Sequence, residues 1–179
     1  MAGHNKWTQI KRKKGATDAQ KSKIFSKLGR LISLESRKAG GKIDSPGLRT
    51  VMEKARFYNM PKDTIERAVK KGVGGEDGEL EAITYEAYAP GGVALMIEAL
   101  TGNRNKAANE IKYILAEHRS SLGTIGSASW AFKKMEGDWI PNAVVEADEQ
   151  TRKEVEALIE ALEENDEVQD VYTNLSESL

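Results

Sequence analysis

Residues 69–101 read VKKGVGGEDGELEAITYEAYAPGGVALMIEALT, and the hydrophobic period changes within them. Before Gly72 the apolar residues recur at helical spacing. After Gly78 they follow the short period of strands over residues 81–89 and 92–100, which turn back at Pro90-Gly91-Gly92. The intervening VGGEDG, residues 73–78, is glycine-rich and acidic and reads as a linker. A helical domain should therefore precede an α+β domain.

Upstream, a helix is expected from about Asp18 to Ala39, capped by Thr17 or Asp18 and released by Gly40-Gly41. Ile24, Phe25, Leu28, Leu31 and Ile32 share one arc, with Lys23, Lys27, Arg30 and Arg37 on another. Leu34 falls among the basic residues. Ser45-Pro46 announces a second helix, a capping hydroxyl followed by proline, with Leu48, Val51, Met52 and Ala55 inward. Met60-Pro61 restarts the chain into a third, burying Ile65, Ala68 and Val69 and stopping at Gly72.

Downstream, Asn103 caps a helix over residues 104–118, and Asp148 caps another reaching about Glu164. Residues 128–134, 139–146 and 167–174 read as strands. From residue 92 the order is βαββαβ, a ferredoxin-like arrangement. The expected organisation is a basic arm over 1–16, a three-helix domain over 17–72, a linker over 73–78 and an acidic α+β domain over 79–179.

Charge gives the functional direction. The net charge of −1 conceals 19 basic and 6 acidic residues in 1–72, a balance of +13, against −14 in 73–179. Lys6, Lys11, Arg12, Lys13, Lys14, Lys21, Lys23, Lys27 and Arg30 lie close together, opposed there only by Asp18. Such a set binds nucleic-acid phosphates by releasing condensed counterions, with little dependence on sequence. Attraction between the two halves would also produce the division. Trp7 can stack on a base or dock into the helical core. His4 can touch a phosphate, though a lone histidine more often has no special role.

Other chemistry finds little support. There is no cysteine and there are two histidines, so thiol chemistry, zinc–thiolate sites and His-rich metal sites are not expected. Thr101-Gly102-Asn103-Arg104-Asn105 could hold an anion at a helix start but fits ordinary turn and cap chemistry better. Pro90-Gly91-Gly92 lacks the Gly-Lys-Ser/Thr ending of a phosphate loop. The acidic stretch from Glu163 to Asp170 reads as solvated surface. No nucleophile–base set or paired carboxylates emerge, so a non-enzymatic protein without cofactor, metal or small-molecule substrate is expected. No apolar run approaches the ~20 residues of a membrane span, and no apolar stretch follows the basic N-terminus as in a secretory signal.

Several long stretches carry a resemblance. MAGHNKWTQIKRKKGATDAQKSKIF at 1–25, NMPKDTIERAVKKGVGG at 59–75 and TYEAYAPGGVALMIEALTGNRN at 84–105 resemble the YebC/PmpR family. So do LGTIGSASWAF at 122–132 and ALEENDEVQDVYTNL at 161–175. The resemblance implies a cytoplasmic or organellar DNA-binding transcriptional regulator. The alternative is an RNA- or ribosome-binding translation factor, as the family's mitochondrial translational activators are. It also implies a departure. Longer members carry a third domain between the strand near Trp130 to Lys134 and the segment beginning near Trp139, where this chain has only Met135, Glu136, Gly137 and Asp138.

Overall fold

The structure, a computed structural model, describes residues 17–75 and 78–177. Its class is α+β, and the described residues divide into two compact units between Glu81 and Ala82. The arm expected over residues 1–16 lies outside the described residues, as do Glu76 and Asp77 of the expected linker.

The helical unit contains α1 (Asp18–Lys38), α2 (Pro46–Phe57) and α3 (Lys62–Gly74). Thr17 starts α1 with a reciprocal capping box. Its hydroxyl accepts from the Gln20 amide at 3.3 Å, and the Gln20 side chain accepts from the Thr17 amide at 2.9 Å. At the other end Gly41, at φ +77°, turns its amide back to the Ser36 carbonyl at 2.9 Å. Pro46 opens α2 as expected, but Ser45 makes no side-chain cap. The third helix runs two residues past Gly72, so Val73 and Gly74 are helical rather than linker. Arg37 of α1 donates to the carbonyl of Gly78, which holds that residue to the helical unit.

Helix α1 is the centre of this unit, packing most extensively on α3 and next on α2. A helix contacted from two directions buries more than one stripe. The buried set of α1 includes Ile24, Leu28 and Ile32, and also Lys27, Ser33, Leu34 and Ser36. Leu34 is thus core despite its basic neighbours. The Ser36 hydroxyl donates to the Val69 carbonyl at 2.7 Å, and small residues along this seam let α1 and α3 approach closely.

The second unit holds β1 (Glu81–Ala89), β2 (Val93–Thr101), α4 (Arg104–Glu117), β3 (Ser121–Leu122), β4 (Phe132–Met135), β5 (Asp138–Pro141), α5 (Glu149–Glu164) and β6 (Val168–Thr173). Asn103 caps α4 through the Lys106 amide at 3.0 Å, and Asp148 caps α5 through the Thr151 amide at 2.7 Å. The main sheet has the order β3-β1-β2-β6, with β2 and β6 antiparallel and Ile97 opposite Val171. Val93, Leu95 and Ile97 of β2 pack with α4 and α5 through Ile111, Leu115, Val155 and Leu158. On the opposite face Ala94 and Met96 meet Ala128, Phe132 and Tyr172. Covering both faces explains why β2 is an almost unbroken apolar run.

The ferredoxin-like arrangement requires correction. In that fold the two middle strands join the same sheet. Here β4 and β5 pair only with each other, Met135 opposite Asp138, as a separate two-stranded sheet. Two local features account for this. The short Pro90–Gly92 turn places β1 beside β2, in the position that a middle strand would need. Glu136 and Gly137, at φ +52° and +96°, form a tight two-residue hairpin that makes β4 and β5 partners of one another.

Candidate nucleic-acid interface

The residues expected to meet a polyanion are distributed unevenly. Lys6, Trp7, Lys11, Arg12, Lys13 and Lys14 lie outside the described residues, as does His4. On α1, Lys21 is exposed and 4.0 Å from Asp18, while Lys23 and Arg30 are half-buried. Lys27 departs from its expected place on a solvent-facing arc: it is 4% exposed. An ammonium is buried only with partners, and Lys27 is indeed partnered. The basic arc of α1 is therefore not a clear surface stripe.

The exposed cations of this unit lie mostly elsewhere. Residues 17–75 contain 14 Lys+Arg against 6 Asp+Glu. Lys38, Arg49, Lys62 and Arg67 form ion pairs with Glu35, Glu53, Glu66 and Asp63 one helical turn away, at 2.7–3.8 Å. Such exposed pairs are weak and readily exchanged for another anion. Lys42, Lys54, Arg56 and Lys70 are exposed and, among the described residues, have no carboxylate within 4.0 Å. They sit on the α1–α2 loop, α2 and α3, outside the cluster that the sequence points to. Their signal was present as the charge balance of residues 1–72, without a local run to draw notice. Positive charge distributed in this way suits phosphate contacts at several points.

The second unit has a well-built polar cluster around Glu86, which is 8% exposed. One carboxylate oxygen accepts from the Gly126 amide at 2.7 Å; the other accepts from Ala128 at 2.7 Å and Ser129 at 2.8 Å. Burial would raise its pKa, but the three amides outweigh that and hold the carboxyl below the ordinary glutamate value. The adjoining Tyr88 hydroxyl donates to the Ser127 carbonyl at 2.6 Å and accepts from the Trp130 indole at 2.9 Å. Both Glu86 oxygens are occupied in shaping the 123–131 segment, so the group is an architectural anchor.

The remaining candidates resolve into turn chemistry. Thr101 accepts from the Asn103 amide at 2.9 Å, and Asn103 caps α4. Pro90–Gly92 joins two strands, with no helix start behind it. Among the described residues no three His, Cys, Asp or Glu are grouped to hold a metal, and no helix is long and apolar enough to cross a membrane.

Comparison with known proteins places these features in context. The pattern of the TACO1/YebC protein N-terminal domain matches residues 5–75, and that of the TACO1/YebC second and third domain matches residues 80–137 and 133–175. A probable transcriptional regulatory protein of Fervidobacterium nodosum is 50% identical over 171 residues, covering 94% of this chain and 68% of the relative. Other relatives of that description are covered over only 55% of their length. One from Rubrobacter xylanophilus is 44% identical over 237 positions, covering 97% of this chain and 95% of the relative. With 179 residues in this chain, at least 58 of those positions face a gap. The second domain pattern breaks at residues 133–137, the β4–β5 hairpin, where the resemblance places the inserted domain. A solved structure, of a conserved hypothetical protein from Aquifex aeolicus, superposes with a TM-score of 0.83 at 33% identity, covering 95% of this chain and 96% of that one.

Proposed function

As this chain belongs to the TACO1/YebC family, we propose that it is a non-enzymatic regulator of gene expression that binds nucleic acid through its basic N-terminal region. The observation that carries this reading is the +13 balance of residues 1–72. The exposed, carboxylate-free Lys42, Lys54, Arg56 and Lys70 support it. The relatives described as probable transcriptional regulatory proteins support a regulatory role, and DNA is the corresponding target. The site of action is the cytoplasm, and binding needs neither cofactor nor metal.

A second reading, an RNA- or ribosome-binding translation factor, is favoured by the packing of α1. A major-groove reader presents one helix whose exposed face carries three or four base-contacting side chains. Helix α1 is buried on several sides, Lys27 included. Cations dispersed over α2, α3 and the connecting loop suit recognition of shape and phosphate. Competition at physiological salt between duplex DNA and structured RNA of matched length tests the choice. Preference for one DNA sequence over others supports the transcriptional reading. Displacement from any duplex DNA by structured RNA supports the translational one. Absence of binding to both refutes the proposal.

A further inference from the structure

Resting on the nucleic-acid reading above, we infer that the 123–131 segment of the second unit is a further contact, in which Trp130 stacks on an unpaired base while Lys133 holds a neighbouring phosphate. The starting observation is a tryptophan that is both fixed and exposed. Trp130 is 63% exposed, yet the segment that carries it is held from within. The amides of Gly126, Ala128 and Ser129 converge on the buried Glu86 carboxylate. The Trp130 indole N–H donates to the Tyr88 hydroxyl at 2.9 Å, and that hydroxyl donates on to the Ser127 carbonyl at 2.6 Å. The one polar atom of the indole is therefore turned inward, and the surface left to solvent is carbon. Among the described residues no other ring contacts it.

An exposed aromatic is common in itself. Here the surrounding charge gives it a direction. Residues 73–179 carry a balance of −14, but the 18 residues from 118 to 135 contain no Asp or Glu and include Arg119, Lys133 and Lys134. Arg119 and Lys134 are paired with Glu154 and Glu98. Lys133 is exposed and, among the described residues, has no carboxylate within 4.0 Å. It follows Trp130 by three residues, so their backbones lie within about 11 Å of each other. A ring already held in place loses little freedom on binding. A flat carbon face beside such a cation matches a single-stranded segment, whose bases offer π-faces and whose phosphates run alongside. A protein partner would be matched by a broad apolar patch. Of residues 123–129 only Ile125 is large and apolar; the others are Gly, Ser, Thr and Ala.

The test uses the full chain and two ligands of equal phosphate number, a hairpin with an unpaired loop and a fully paired duplex. W130L keeps apolar bulk and removes the π-face. It should bind the hairpin roughly 5- to 100-fold more weakly, the range of one lost base stack, and the duplex as the parent does. W130F keeps a ring without the indole N–H and should retain most of the hairpin affinity. The salt slope should be unchanged in both, because stacking releases no counterions. K133A should instead flatten the slope by about one, for one lost phosphate contact. Tryptophan emission reads the contact independently of affinity. Saturating hairpin should quench the parent more than W130F, and duplex should quench the two alike. Equal losses on hairpin and duplex, no loss on either, a W130F as weak as W130L, or quenching unchanged by W130F would overturn the inference while the broader reading stands. If the parent chain binds neither ligand, the broader reading falls as well.

Discussion

Gly72 of α3 faces the main-chain carbonyl of Ser33 in α1 so closely that a Cβ on Gly72 would lie 2.2 Å from that oxygen. The obstacle is backbone and cannot rotate away. G72A should therefore push α1 and α3 apart and destabilise the helical unit by about 1–3 kcal/mol, the usual cost of overpacking. Gly29 is the internal control, since its nearest neighbour is the flexible end of Met60 at 3.9 Å. G29A should be neutral, or stabilising by up to about 1 kcal/mol from helix propensity. Urea unfolding followed by circular dichroism separates the two.

Lys27 and Lys21 should differ sharply in their response to charge reversal, although the sequence presents them as similar. Lys27 is buried and partnered, so K27E should destabilise the unit by about 3 kcal/mol or more. Lys21 is exposed with a weak partner in Asp18, so K21E should change stability by no more than about 0.5 kcal/mol. Thermal unfolding of the two variants makes the comparison. Equal stability would place Lys27 on the surface.

Glu86 links stability to pH. Its folded pKa lies below the unfolded value near 4.5, so its contribution is complete above that value and is lost as pH falls through the folded pKa. E86Q supplies one acceptor oxygen in place of two, for three amides. It should cost about 1–3 kcal/mol at neutral pH and reduce the acid sensitivity of unfolding. Trp130, tied to the same segment through Tyr88, provides a fluorescence reporter. An E86Q protein as stable as the parent at pH 7 would contradict the anchoring role.

The features legible in the sequence are those set by neighbours along the chain. Thr17, Asn103 and Asp148 all cap the helices that follow them, because a side chain reaching three residues ahead is a local event. The α+β class followed from the change of period near residue 78. What the sequence concealed depends on distant partners. A helical wheel assumes one buried face, but α1 packs on two helices, which puts Lys27 and Leu34 inside. The turn at Pro90–Gly92 pairs β2 with β1, but nothing local shows that β4 and β5 leave their sheet for one of their own. Glu86 acquires its partners from 40 or more residues away. The four carboxylate-free cations stand out only when burial and pairing distinguish them from other polar residues.

The basic surface of the helical unit should be separable from its stability. Lys42, Lys54, Arg56 and Lys70 are exposed, so their joint replacement by Glu should leave the helical signal intact. It should weaken nucleic-acid binding by orders of magnitude, because each reversed contact both loses an attraction and adds a repulsion.

The most direct test of electrostatic nucleic-acid binding is the affinity of the full chain for one hairpin, titrated from ~50 to ~200 mM salt. With +13 in residues 1–72 and several phosphates engaged, affinity should fall by about three orders of magnitude or more over that range. Affinity unchanged by salt would contradict the account.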